Sequence, residues 1–200
     1  MVFVLTVDQR GSRISGDLVP ELLKNLNRRP RQPGLLRKFE RTAGDEVQGI
    51  LSEATATIDL IVDLIRRDHW YVGLGIGDVF DPLPRSTRAG NGDAFVHARD
   101  AVTKAKASPH HVNVCGSDAL LADQVETVLW LLASVLRRRS DRGWAVADLL
   151  AEGLTRREIG VKLGISQSAV TQRAQAAGVV EEQRGRLLAS ELLGRVEVAA

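Results

Sequence analysis

The chain has 200 residues, 44% of them hydrophobic and 26% charged, with a formal net charge of +2. That length admits one domain or two small ones, and the balance of apolar and charged residues excludes a wholly disordered chain. A single cysteine, Cys115, excludes an internal disulfide framework and a cysteine-rich zinc site.

In chain order, Val2 to Val7 is an apolar, β-branched run that reads as a strand ending at Asp8. It lacks the basic start of a signal peptide. No run approaches the roughly 18–20 apolar residues of a membrane-spanning helix. The expectation is a cytoplasmic protein with no membrane association. Asp17 to Leu26 has helical apolar spacing, and Arg28 to Gly34, with two prolines, reads as a loop. Leu35–Thr42 and Glu46–Leu51 flank Ala43-Gly44-Asp45 and predict a hairpin. A helix over Ala54–Arg67 and a strand over His69–Ile76 follow. Beyond Pro82 and Pro84 come a helix over Ala94–Ala107 and a short strand over His111–Cys115.

This β-α-β-β-α-β order, with a further helix and strand, predicts an α+β domain over 1–118. Its expected form is a ferredoxin-like antiparallel sheet with helices on one face. Leu120, Val125, Leu129, Leu132 and Leu136 mark a long apolar helix, so 119–140 reads as a linker or dimerisation helix. Packing on the sheet or on the C-terminal helices is the alternative. The charged run Arg137 to Gly143 marks a boundary, and 141–200 reads as an all-α domain.

The segment 154–178 carries the strongest pattern. Thr155 and Glu158 have capping-box spacing, Gly164 suits a left-handed helix end, and Ser166 suits the cap of a second helix. Two short helices joined by such a turn make a helix-turn-helix, whose second helix enters the DNA major groove. Four basic residues against one acid give this segment a local charge of +3. Arg156, Arg157 and Lys162 are candidates for phosphate contacts; Ser166, Gln167, Ser168, Thr171, Gln172 and Arg173 are candidates for the base edges. The expected partner is double-stranded DNA, bound by a homodimer, with a helical hairpin that only packs on another element as the alternative. Glu158, Ile159, Leu163, Gly164, Ile165, Ser166 and Val170 resemble region four of sigma factors and related response regulators over about 25 residues.

In the N-terminal part, Asp8 ends the first strand, and Asp45 and Glu46 lie at the hairpin tip. In the expected sheet these ends meet. Carboxylates there suit Mg²⁺ or Mn²⁺ with a phosphate-bearing ligand. Turn capping is the alternative role for Asp8 and Asp45. Gly73, Gly75 and Gly77 alternate along one strand, so a helix or ligand can approach one face closely. His110 and His111 read as surface histidines, and Cys115 as a buried small hydrophobe.

VLTVDQRGS, RTAGDE and GLGIG resemble the matching strand, hairpin and strand of class III nucleotide cyclases and GGDEF-type enzymes. With GDEVQGIL, GNGDAFVHARDAV and EIGVKLGISQSAV, most of residues 1–178 resembles the SatD family. The resemblance implies a cyclase-like domain followed by a helix-turn-helix. It puts Asp8 and Asp45 on the metal-carboxylate positions and Arg41 where purine cyclases read the base with lysine. Gly44, His97 and Arg99 join Arg41 as nucleotide-site candidates. The cyclase asparagine lies four residues before its arginine. Here Phe95 stands four before Arg99, with His97 the nearest polar substitute. That departure points to a transcriptional regulator whose degenerate cyclase-like domain senses a nucleotide. The competing classes are a metal-dependent cyclase or phosphoryl-transfer enzyme, and an interaction module without a ligand.

Overall fold

The computed structural model describes residues 1–27 and 34–198, with side chains to 195. Most of the expected loop at 28–34, and the last two residues of the expected 141–200 domain, lie outside the described residues. The chain is α+β. It opens with β1 (Val2–Gln9), the single turn α1 (Ser12–Ser15) and α2 (Val19–Asn27). The hairpin β2 (Leu35–Arg41) and β3 (Glu46–Leu51) leads into α3 (Ala54–Arg67) and β4 (Trp70–Gly77). A 3-10 turn at Thr87–Ala89 precedes α4 (Asp93–Ala105) and β5 (Val112–Gly116). The remainder is α5 (Ala119–Arg137), α6 (Asp141–Ala151), α7 (Arg156–Leu163), α8 (Gln167–Ala176) and α9 (Val179–Val198).

The strands form one five-stranded sheet in the order β2-β3-β1-β4-β5. β1 lies between β3 and β4 and is antiparallel to both, with Asp8 opposite Glu46 and Tyr71. β5 is parallel to β4. The sheet is therefore mixed, which corrects the expectation of an antiparallel one. The physical reason is α4, a helical crossover that returns the chain in the same direction.

Period-two alternation splits the sheet into two unlike faces. Phe3, Leu5, Val7, Val47, Leu51, Val72, Leu74, Val112 and Val114 join the main core with α2, α3, α5 and α9. The opposite face carries Val4, Ile50 and the glycines of β4, and α4 lies on it. Helices thus cover both faces, correcting the one-face expectation. The glycines explain how. A Cβ at Gly75 would stand 2.1 Å from the Ala94 carbonyl, and one at Gly73 2.2 Å from the Val102 nitrogen. The alternating glycines serve a helix that rests directly on the strand.

The edge strand β5 is closed by α5, whose Glu126 accepts from the Val114 N–H at 2.8 Å while Trp130 Nε1 donates to the Val112 carbonyl at 2.9 Å. Ala122, Val125, Leu129, Leu132, Ala133 and Leu136 of α5 are all buried. Against the expectation that no run approaches a membrane span, this helix is long and apolar enough to cross a membrane by length and composition, with mean hydropathy 1.5, while its apolar stripe packs in the main core. It is a core element, in keeping with the alternative reading of 119–140 in which the helix packs on the sheet and the C-terminal helices. α9 also returns to this core through Ala189, Leu192 and Leu193, so the expected 141–200 unit does not pack as one body. Only α6, α7 and α8 share a separate small core, made by Val146, Leu149, Ile159, Val170 and Ala174.

The two cores meet at Trp144, whose ring is approached by the Arg66 and Arg139 guanidinium groups, 4.0 and 4.3 Å from the ring centroid. Arg66 forks the Asp148 carboxylate at 2.7 and 2.8 Å. Arg139 has a fully buried side chain. It donates to the Ala177 carbonyl at 2.8 Å and to Glu182 at 2.7 Å.

Candidate functional site

The α7–α8 pair is built by local hydrogen bonding. Thr155 Oγ1 accepts from the Glu158 N–H at 3.3 Å, while the Glu158 carboxylate takes the Thr155 N–H at 2.8 Å. That reciprocal box holds the start of α7 and, through the Thr155 backbone and hydroxyl, keeps the Glu158 carboxyl below its ordinary range. Gly164 ends α7 at φ +65°, and the Ile165 N–H reaches back to the Gly160 carbonyl at 2.9 Å. Ser166 caps α8 by accepting from the Ala169 N–H at 3.2 Å. Ile159 and Val170 then face inward with no exposed surface.

The outward residues divide by position. Arg156, Arg157 and Lys162 are exposed on α7, Lys162 with a loose ion pair to Glu152 at 3.9 Å. Ser166, Gln167, Ser168 and Gln172 are exposed at the start and on the free face of α8. Thr171 and Arg173 are half-buried, and the Thr171 hydroxyl is turned back to the Gln167 carbonyl at 3.1 Å. The Ser166 and Ser168 hydroxyls bond each other at 2.9 Å, so Gln167 and Gln172 are the side chains of α8 more available to a ligand.

The second candidate region lies where α4 passes over the end of β1 and the start of β3. Thr6 and Gln48 are cross-strand partners here, and Gln48 Nε2 donates to Thr6 Oγ1 at 2.9 Å in a buried pair. Beside them is an open cleft of about 720 Å³, lined by Thr42, Gln48, Ser86, Arg88, Phe95 and Arg99. Its outer wall is pinned to β2, since Thr87 Oγ1 donates to the Lys38 carbonyl at 2.7 Å and Ser86 Oγ to Glu40 at 2.6 Å.

Comparison with protein-family models, with curated proteins and with solved structures returned no match.

Of the predicted nucleotide residues, only Arg99 lines this cleft, and it reaches Glu46 at 3.5 Å. Arg41 is turned to Asp17, which it meets at 2.6 Å. The Arg41 hydrogen bond holds the Asp17 carboxyl below its ordinary range. Arg41 is thus engaged by Asp17 and does not line the cleft. His97 donates from Nδ1 to the Ile76 carbonyl at 2.7 Å and lines a different cleft, with Asp100, Lys104, Cys115 and Glu126. Gly44 is at the hairpin tip with φ +56° and open space around it.

Asp8 is buried, and Asp45 and Glu46 are half-buried. Asp8 is paired with the Lys106 ammonium, and Glu46 Oε1 accepts from the Thr42 hydroxyl at 2.6 Å. Among the described residues no three His, Cys, Asp or Glu side chains converge to hold a metal ion. Lys106, Arg88 and the Thr6–Gln48 pair were not among the expected residues. Their one sequence signal is position: α4 leads back over the strand that ends at Asp8. The two histidines are not surface residues either. Each is half-buried with Nδ1 enclosed and unpartnered, and His111 has φ +60°. Cys115 is half-buried with Sγ 3.4 Å from Lys104 Nζ.

Proposed function

We propose that this chain is a cytoplasmic DNA-binding transcriptional regulator in which a degenerate cyclase-like sensor, built on a mixed sheet, carries a helix-turn-helix. The observation that carries the reading is the free face of the capped α7–α8 pair. Gln167, Ser168 and Gln172 stand exposed on α8, beside Arg156, Arg157 and Lys162 of α7. Gln at the start of a recognition helix pairs with adenine in two hydrogen bonds, and the arginines and lysine neutralise phosphates. The SatD-like blocks in both halves of the sequence support the same organisation.

The ligand of the sensor is a nucleotide, held by Arg88 and Arg99 in the cleft over Gln48. The engagement of Arg41 by Asp17 and the absence of an asparagine four residues before Arg99 favour sensing over cyclisation. The active form is a homodimer, with recognition helices about one DNA turn (~34 Å) apart. Leu131 of α5 with Leu187 and Leu188 of α9, all exposed, offers the pairing surface.

The test is a salt titration of duplex binding by the full chain. A helix-turn-helix reader loses affinity steeply with salt, and Arg156→Ala lowers the magnitude of the log–log slope by roughly 1. An unchanged slope in Arg156→Ala, or binding indifferent to salt, overturns the reading.

A further inference from the structure

The end of β1 and the start of β3 bring two carboxylates together, yet their surroundings do not suit a divalent cation. Asp8 and Glu46 face each other across the β1–β3 pair, and Asp45 is next to Glu46 in the chain. Mg²⁺ and Mn²⁺ bind through such carboxylate oxygens, although among the described residues no third acidic side chain converges with these two. Two cationic side chains already serve the pair. Arg99 reaches Glu46, and Lys106 makes an ion pair with Asp8, whose side chain is only 12% exposed.

Topology explains the arrangement. α4 runs over β4 from Gly77 to Gly73, so its C-terminal end arrives above the end of β1. Lys106 caps that end directly after Ala105. A cation there is favoured twice, by the carboxylates and by the negative pole of the helix.

We propose that Lys106 is the resident cation of this acidic end and that its ammonium occupies the place of a divalent metal. The Asp8 hydrogen bond, with further attraction from Asp8, Asp45 and Glu46, holds the Lys106 amine above its ordinary range against partial burial. A metal ion entering the site must displace an intramolecular ammonium and overcome its repulsion at short range. Nucleotide binding in the neighbouring cleft then needs no divalent cation, a consequence that rests on the sensor reading; the lysine assignment itself does not.

The experiment is Mn²⁺ binding by the full chain, read by electron paramagnetic resonance of the free ion without nucleotide. Wild type, Asp8→Asn, Lys106→Met and Lys106→Met/Asp8→Asn are compared, and Lys106→Gln repeats the neutralisation with a hydrogen-bond donor retained. Circular dichroism checks that each variant folds. The expected result is no Asp8-dependent binding in wild type and a gain of about tenfold or more in affinity on neutralising Lys106. The gain disappears in the double variant. Asp8-dependent Mn²⁺ binding by wild type, abolished in Asp8→Asn, overturns the proposal without relying on any Lys106 variant. Folded Lys106→Met and Lys106→Gln proteins that bind no Mn²⁺ also overturn it. Failure of nucleotides to bind leaves these outcomes unchanged and counts against the sensor reading alone.

Discussion

Gly75→Ala probes the placement of α4 on the sheet. The added Cβ would lie 2.1 Å from the Ala94 carbonyl oxygen and 2.3 Å from the Ala98 nitrogen. Ordinary contact begins at 3.4 Å, so α4 must withdraw by about 1.3 Å (3.4 less 2.1) or β4 must bend. The obstructing atoms are backbone, so no side-chain rotation relieves them. Withdrawal loosens Ala94, Ala98, Ala101, Val102 and Ala105, the buried stripe of α4. Overpacking a close-packed core costs about 1–3 kcal/mol, and the poorer fit of a whole helix puts the expected loss at the upper end. That is a large share of a typical stability of about 5–15 kcal/mol. The assay is urea denaturation followed by circular dichroism, in which the midpoint falls while the slope stays constant. Gly194→Ala is the control. It lies in α9 with nothing within 4 Å of its added Cβ, so the substitution stabilises by roughly 0.5–1 kcal/mol. An unchanged midpoint in Gly75→Ala refutes the packing of α4 directly on β4.

Three further outcomes are expected. Glu182→Ala leaves the wholly buried Arg139 guanidinium without its carboxylate, and chemical denaturation should register a loss of about 3–5 kcal/mol; a loss below 1 kcal/mol contradicts a buried pair at the joint. Thr155→Ala removes half of the capping box and should cost about 1 kcal/mol in thermal unfolding, with DNA affinity falling in step. His111 is held below the ordinary imidazole range by burial first and then by Arg10 and Arg137. The unfolded chain therefore takes up its proton first on acidification, so the stabilisation is complete above the ordinary value of 6.5 and is lost as pH falls through the lowered folded value. His111→Asn, which tolerates the positive φ, should flatten the dependence of urea midpoint on pH in that window. A slope equal to wild type contradicts the assignment.

Much of the sheet layer was legible because its signals are local. Alternation in β1, the turn residues between β2 and β3, and the helical spacing of α3 each arise within one element. The glycine row of β4 announced a close approach, and only the fold decided that a helix makes it. What stayed hidden depends on distant partners. Arg139 sits in a run of three arginines that reads as a solvated break. Its burial needs Trp144 against the guanidinium and Glu182, 43 residues away, to neutralise it. α9 has apolar residues around more than one side, with Leu187 and Leu188 exposed while Leu192 and Leu193 are buried, so its return to the main core could not be read from periodicity.

At the candidate sites the same division holds. The α7–α8 turn is encoded by Thr155, Glu158, Gly164 and Ser166 within a dozen residues, and each takes the expected capping role. The acidic end of β1 was visible as Asp8, Asp45 and Glu46, but the lysine that answers it comes from the far end of α4. The nucleotide candidates scattered for a related reason. Arg41 and Arg99 share a charge type, yet Asp17 captures one and the cleft receives the other.

The proposed regulator reads DNA sequence with the exposed face of α8. Selection of random duplex fragments by the full chain, at low and at physiological salt, tests this reading. Enrichment of a defined site that survives the higher salt is expected, with Gln172→Ala changing the preferred base at one position by about 1–3 kcal/mol. No enrichment at low salt, with Arg156 and Arg173 intact, contradicts it.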